Sequence, residues 1–223
     1  MKERLPARSA PGATRAATPA SRQTPEVLVP LSAAGERPTT NGQFRSTLLT
    51  TSLKAIRDRG HGDRYLELLP EKHHDAVRAC IAGMWLPMEL GIAHYEACDA
   101  LGLTESEQMA IGKEVGLTIQ GTFLGTMLKL AKGAGVTPWL CLGQYQRLYD
   151  RLLVGGGVVV TKVGPKEARL ECHNLLLARI PYFRTAFRGV NEASCELFCT
   201  KAYVLEIKAM CTPTSLGYRI SWA

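Results

Sequence analysis

A chain of 223 residues has room for one good-sized core or two small ones, and 46% hydrophobic with 21% charged residues is ordinary globular usage that excludes wholesale disorder or a collagen-like or coiled-coil identity. No apolar stretch reaches the roughly 18 residues of a membrane span, and the basic N-terminus has no apolar segment behind it, so neither a span nor a secretory leader is expected and the default is cytoplasmic. Much of the net charge of +7 sits early, in Lys2, Arg4, Arg8, Arg15 and Arg22, and reads as a solubilising excess rather than a nucleic-acid footprint.

Residues 1–40 are rich in Ala, Pro, Ser, Thr and Arg, with only Val27-Leu28-Val29 to bury. Such a segment cannot offset its ordering entropy and is expected to be a disordered basic tail before one domain, 41–223. From Phe44 the texture changes: Leu48, Leu49, Leu53 and Ile56 recur at helical spacing up to Gly60. A helix is expected from Glu71 to about Ile81, another from Pro87 to about Leu101 with Gly102 as its stop. Thr104 and Glu107 form a capping box for a long helix over 105–132. There Ile111, Val115, Ile119, Phe123, Leu124, Met127, Leu128 and Leu130 cover more than one face, and Gly112/Gly116 and Gly121/Gly125 lie on roughly opposite sides. Each glycine costs about 1 kcal/mol of helix propensity, so neighbouring elements are expected to approach this backbone closely.

Thr137-Pro138 starts the next helix, with Trp139, Leu142, Tyr145, Leu148, Tyr149 and Leu152 as its stripe down to Gly155-Gly156-Gly157. The period then changes to two. Val158–Val160 leads through Gly164-Pro165 to a strand where Ala168, Leu170 and Cys172 alternate with Glu167, Arg169 and Glu171. Pro181 opens a helix carrying Phe183, Phe187, Val190 and Leu197, and two strands close the chain, with Tyr203, Leu205 and Ile207, then Leu216, Tyr218, Ile220 and Trp222, as their apolar positions. The class predicted is α+β: an N-terminal helical layer packed on a C-terminal antiparallel sheet of strand–strand–helix–strand–strand order.

The seven cysteines, Cys80, Cys98, Cys141, Cys172, Cys195, Cys199 and Cys211, form no compact framework and read as reduced thiols. Cys195 and Cys199, one helical turn apart, could share a metal with Cys172, His173 and Cys211 if the fold brings these near, but among Leu197 and Phe198 they read as small core residues rather than metal ligands. His73-His74 reads as a solvated surface pair and His94 as a satisfied buried histidine. Gly155–Gly157 precedes a strand and lacks a Gly-Lys-Ser/Thr ending, so it reads as a helix stop and turn rather than a phosphate loop. Trp85, Phe123, Met127, Tyr145, Tyr149, Tyr182 and Phe183 are available either as core or as the lining of a pocket.

Trp-Leu-Pro at 85–87, Ala-Cys-Asp-Ala-Leu-Gly at 97–102, the glycine-spaced helix and Gly-Tyr-Arg-Ile-Ser-Trp at 217–222 resemble a paralogous myxobacterial family described as a domain of unknown function, over about Phe44 to the C-terminus. The element order resembles a wider superfold: heme-based nitric-oxide sensor domains, vinyl-reductase-type sensory domains that bind small aromatics, and vesicle-tethering subunits. That resemblance implies a cavity between helical layer and sheet for a heme, an aromatic effector or an acyl chain. The heme sensors' Tyr-x-Ser-x-Arg signature is missing, which disfavours heme. The zinc-bearing members carry Glu-x-x-Cys with a second cysteine eight residues on; Cys211 matches the first, but Lys208 and Arg219 replace the other ligands. The expectation is a non-catalytic sensory or adaptor domain without cofactor, binding a small apolar ligand between helices and sheet. The alternative is a protein–protein interaction or dimerisation module with a solid core, whose partner is a second copy or a signalling protein.

Overall fold

The computed structural model describes residues 24–31, 39–131 and 137–223, and of 120 and 122–131 the backbone alone. The N-terminal half runs β1 (Glu26–Val29), β2 (Gln43–Arg45), α1 (Ser46–Asp58), α2 (Gly62–Leu68), α3 (His74–Arg78), β3 (Trp85–Pro87), α4 (Met88–Asp99) and α5 (Glu105–Ala131). The remainder is α6 (Trp139–Leu142), α7 (Tyr145–Leu152), β4 (Leu153–Val154), β5 (Gly157–Gly164), β6 (Glu167–His173), α8 (Pro181–Glu196), β7 (Ala202–Glu206) and β8 (Ser215–Trp222). The architecture is α+β, helices packed against a C-terminal antiparallel sheet of order β1-β5-β6-β8-β7.

Local chemistry explains most boundaries. Thr104 N–H donates to Glu107 Oε2 at 2.8 Å and Glu107 N–H to Thr104 Oγ1 at 3.3 Å, the reciprocal box that opens α5 and stabilises such a start by about 1 kcal/mol. Gly102 closes the turn after α4 at φ +67°, and Pro181 takes the first position of α8, where it has no helical hydrogen bond to lose. β6 alternates as its sequence predicts, with Ala168, Leu170 and Cys172 fully buried against the helical side.

α8 ties the two layers together. On one side it meets α5 so closely that a Cβ added at Gly112 would lie 1.8 Å from Ala186 O, and one added at Gly189 2.2 Å from Met109 O. Lys113 Nζ braces the crossing with Glu192 at 3.0 Å and Glu196 at 3.3 Å. On the other side Tyr218 Oη donates to Arg184 O at 3.0 Å and Arg188 Nε to Val204 O at 3.0 Å.

Four expectations are corrected, and one small sheet goes beyond them. Val27-Leu28-Val29 belongs to β1, which pairs antiparallel with β5 and buries Val29, so backbone pairing orders a stretch of the expected tail whose side chains alone could not. Residues 1–23 and 32–38 of that tail lie outside the described residues. β7 turns the opposite face inward: Ala202 and Val204 are buried while Tyr203 and Leu205 are 53% and 56% exposed. Both its faces are apolar, and pairing with Trp222 and Ile220 of β8 decides the register. The helix expected over 71–81 is a 3-10 turn, Glu71–His73, then the short α3. The helix expected after Thr137-Pro138 breaks at Gly143, because Trp139 is pinned by its Nε1–H to Pro165 O at 3.1 Å and packs edge-on against Trp222. A second small sheet, β3-β2-β4, staples the helical half, and its two- and three-residue strands are too short to show a period.

Candidate functional site

Five helices surround one apolar cavity of about 50 Å³. Ile111, Val115 and Ile119 of α5 lie one turn apart and form one wall. Gly112 and Gly116 thin that wall beside Ala186 and Val190 of α8. Tyr145, Leu148, Tyr149 and Leu152 of α7 face them, with Leu48 and Ser52 of α1, Tyr95 of α4 and Phe183 and Phe187 of α8 completing the enclosure. The hydroxyls of the α7 tyrosines are engaged elsewhere: Tyr145 Oη donates to Asn191 Oδ1 at 2.7 Å, and Tyr149 Oη pairs with the Asn41 amide at 3.2 Å. Burial pushes both phenols well up, so they stay neutral.

Behind Ser52 lies a buried polar relay. His94, wholly buried, has Tyr65 Oη at 2.8 Å from Nδ1 and Ser52 Oγ at 3.1 Å from Nε2. Burial lowers its pKa to about 3, so the ring is neutral. Tyr65, whose phenol burial pushes up, has a proton to place, and Nδ1 takes it as acceptor. The histidine proton therefore sits on Nε2 and is donated to Ser52 Oγ. Tyr182 is fully buried, and its hydroxyl has no hydrogen-bond partner among the described residues.

Of the aromatic set predicted from sequence, Tyr145, Tyr149 and Phe183 line the cavity. Tyr182 is core beside Tyr95, with ring centroids 6.2 Å apart. Trp85 is half-buried on β3 beneath the Arg45 guanidinium. The side chains of Phe123 and Met127 lie outside the described residues. Ser52 and Tyr95 were missed, because Ser52 ends the polar run Thr50-Thr51-Ser52 and Tyr95 stands between His94 and Glu96, so no apolar stripe marks either as lining. The cavity lies among helices rather than between helices and main sheet, because α8 fills the sheet's inner face, where Phe187 packs against Tyr218 at 5.9 Å.

The other candidates have structural roles. Cys199 Sγ donates to Cys195 O at 3.2 Å, and burial raises the Cys172 and Cys141 thiols to about 12. Among the described residues no group of three His, Cys, Asp or Glu is placed to hold a metal. Gly155 and Gly156 turn the chain at φ +84° and +71°. His73 and His74 are half-buried rather than solvated, His74 Nε2 lying 2.9 Å from Leu69 O. No helix of the described residues is long and apolar enough to cross a membrane.

This succession of helices and a late antiparallel sheet is the H-NOX fold. The chain is similar to the Fe(II) unliganded H-NOX protein from K. algicida, with a TM-score of 0.58 and 9% identity over 80% of this chain and 96% of that one. An H-NOX domain described as oxygen-binding and related to soluble guanylate cyclases gives 0.53 and 15% over 79% and 94%. The Cs H-NOX variant with 4-cyano-L-phenylalanine at site 5 gives 0.57 and 15% over 80% and 96%. At such identities the likeness is one of fold. No protein-family model matches the chain, and no curated protein matches it.

Proposed function

We propose that this is a non-catalytic sensory or adaptor domain that takes a small apolar molecule into the cavity among α1, α4, α5, α7 and α8. The observation that carries the reading is the cavity itself, ringed by helices and lined almost wholly by apolar atoms. Its wall contains the close crossing of α5 and α8, and α8 is hydrogen-bonded to β7 and to Tyr218. Occupancy that shifts this crossing is thereby transmitted to the sheet, which is what a sensory domain requires. The motifs at 85–87, 97–102 and 217–222 support membership of the myxobacterial family they resemble.

Heme, which similar structures describe in the H-NOX family, does not fit these residues. The cavity of about 50 Å³ is far smaller than a porphyrin, and among the described residues neither His nor Cys lines it. Both ring nitrogens of His94 are already engaged, by Tyr65 and Ser52.

Xenon-129 NMR tests the reading. The unaltered protein should bind xenon in a saturable site and gain thermal stability with small apolar solutes, and Val115→Phe should remove both effects while the far-ultraviolet spectrum stays unchanged. Xenon that senses only bulk solvent would contradict it. The second reading rests on β7, an edge strand exposing Tyr203 and Leu205. If pairing through that edge is the function, light scattering will show a dimer that Leu205→Lys dissociates and Val115→Phe leaves intact.

A further inference from the structure

A charged groove borders the cavity. Ile119, Leu148 and Leu152 line it and also line a water-open groove of about 350 Å³ bounded by Arg45, Thr47, Gly83 and Arg151. Arg45, where β2 passes into α1, is held in one orientation. Its guanidinium lies 3.9 Å above the Trp85 ring, and it donates Nε–H to Arg151 O at 3.2 Å and Nη1–H to Gly83 O at 2.9 Å. Those acceptors are neutral, and no carboxylate among the described residues forms an ion pair with this cation. A guanidinium has five N–H groups, so a fixed fork of unspent donors remains at the lip of an apolar chamber. A carboxylate matches such a fork, and in this open groove it keeps most of its water.

Resting on the cavity reading, we infer that the ligand is a small amphiphilic carboxylate, with its apolar body inward between Ile119 and Leu148 and its head on Arg45. Arg151 brings a second positive charge to the same groove. Neither the apolar chamber nor the cation alone selects this class; their shared wall does.

Calorimetry on the full chain with octanoate and 1-octanol separates the terms. Octanoate should bind roughly fivefold to tenfold more tightly than octanol, and salt should erode that advantage. Arg45→Gln should equalise the two ligands, and Val115→Phe should abolish both. If Arg45→Gln fails to fold, the salt dependence in the unaltered chain decides: an octanoate affinity as indifferent to salt as that of octanol overturns the inference. Equal affinities at low salt overturn it while leaving the apolar cavity intact, as does failure of both ligands in a protein that binds xenon. Octanoate binding that survives Val115→Phe overturns it as well, by placing the ligand on the groove alone. Silence of both ligands and of xenon removes the cavity reading with it.

Discussion

His94 is the residue through which pH reaches this core. Its ring is wholly buried and burial lowers its pKa to about 3, whereas the unfolded chain takes up the proton near 6.5. The depressed folded value means that the stabilising contribution is complete above about pH 6.5 and is lost as pH falls toward 3. Between pH 7 and pH 5 the loss is about 2 kcal/mol, readable as a lower urea midpoint. His94→Gln should lower the midpoint at pH 7, since Tyr65 and Ser52 lose well-placed partners, yet flatten its change between those pH values. A midpoint of the unaltered protein that stays put would show that the ring is not held neutral. That His94 is buried and satisfied was legible from its apolar helix; that Tyr65 and Ser52 satisfy it was not, since they come from two other helices. Likewise Tyr145 and Tyr149 share one stripe of α7, whereas nothing local distinguishes Phe183, on the cavity, from Tyr182, beside it in the core.

The helices meet where glycine allows it. Gly112 packs under Ala186 O, while a Cβ at Gly121 would touch nothing within 4 Å among the described residues. Gly112→Ala should therefore cost about 3 kcal/mol by forcing two main chains apart, and Gly121→Ala should gain up to about 1 kcal/mol of helix propensity. Thermal unfolding of the pair measures this, and equal effects would contradict the close crossing. The glycines were legible as a sign of close approach to α5, but not which of them is used, because that depends on where α8 lands. The strands show the same division. β6 and β8 have one apolar face each and declare their register, whereas β7 is apolar on both and takes its register from β8.

Across the whole molecule, the sheet's far edge depends on a strand that sequence pattern concealed. β1 contributes Val29 to the core, pairs Glu26 through Val29 with Lys162 through Val160, and separates β5 from solvent. Its four residues carry too little apolar surface to fold by themselves, so only the template of β5 orders them. Deleting residues 1–31 removes a buried valine and a short ladder, together about 3 kcal/mol, which lowers the unfolding temperature by roughly 5–10 °C for a chain of this length. It also bares β5, whose Val158 and Val160 are completely buried beside a backbone edge that then lacks a partner. Such an edge pairs with another copy, so the shortened chain should elute at a concentration-dependent, larger size. Val29→Asp, which keeps the chain length, should move stability the same way by placing a charge against the core. A shortened chain as stable and as monodisperse as the full one would mean that β1 is not part of the folded unit.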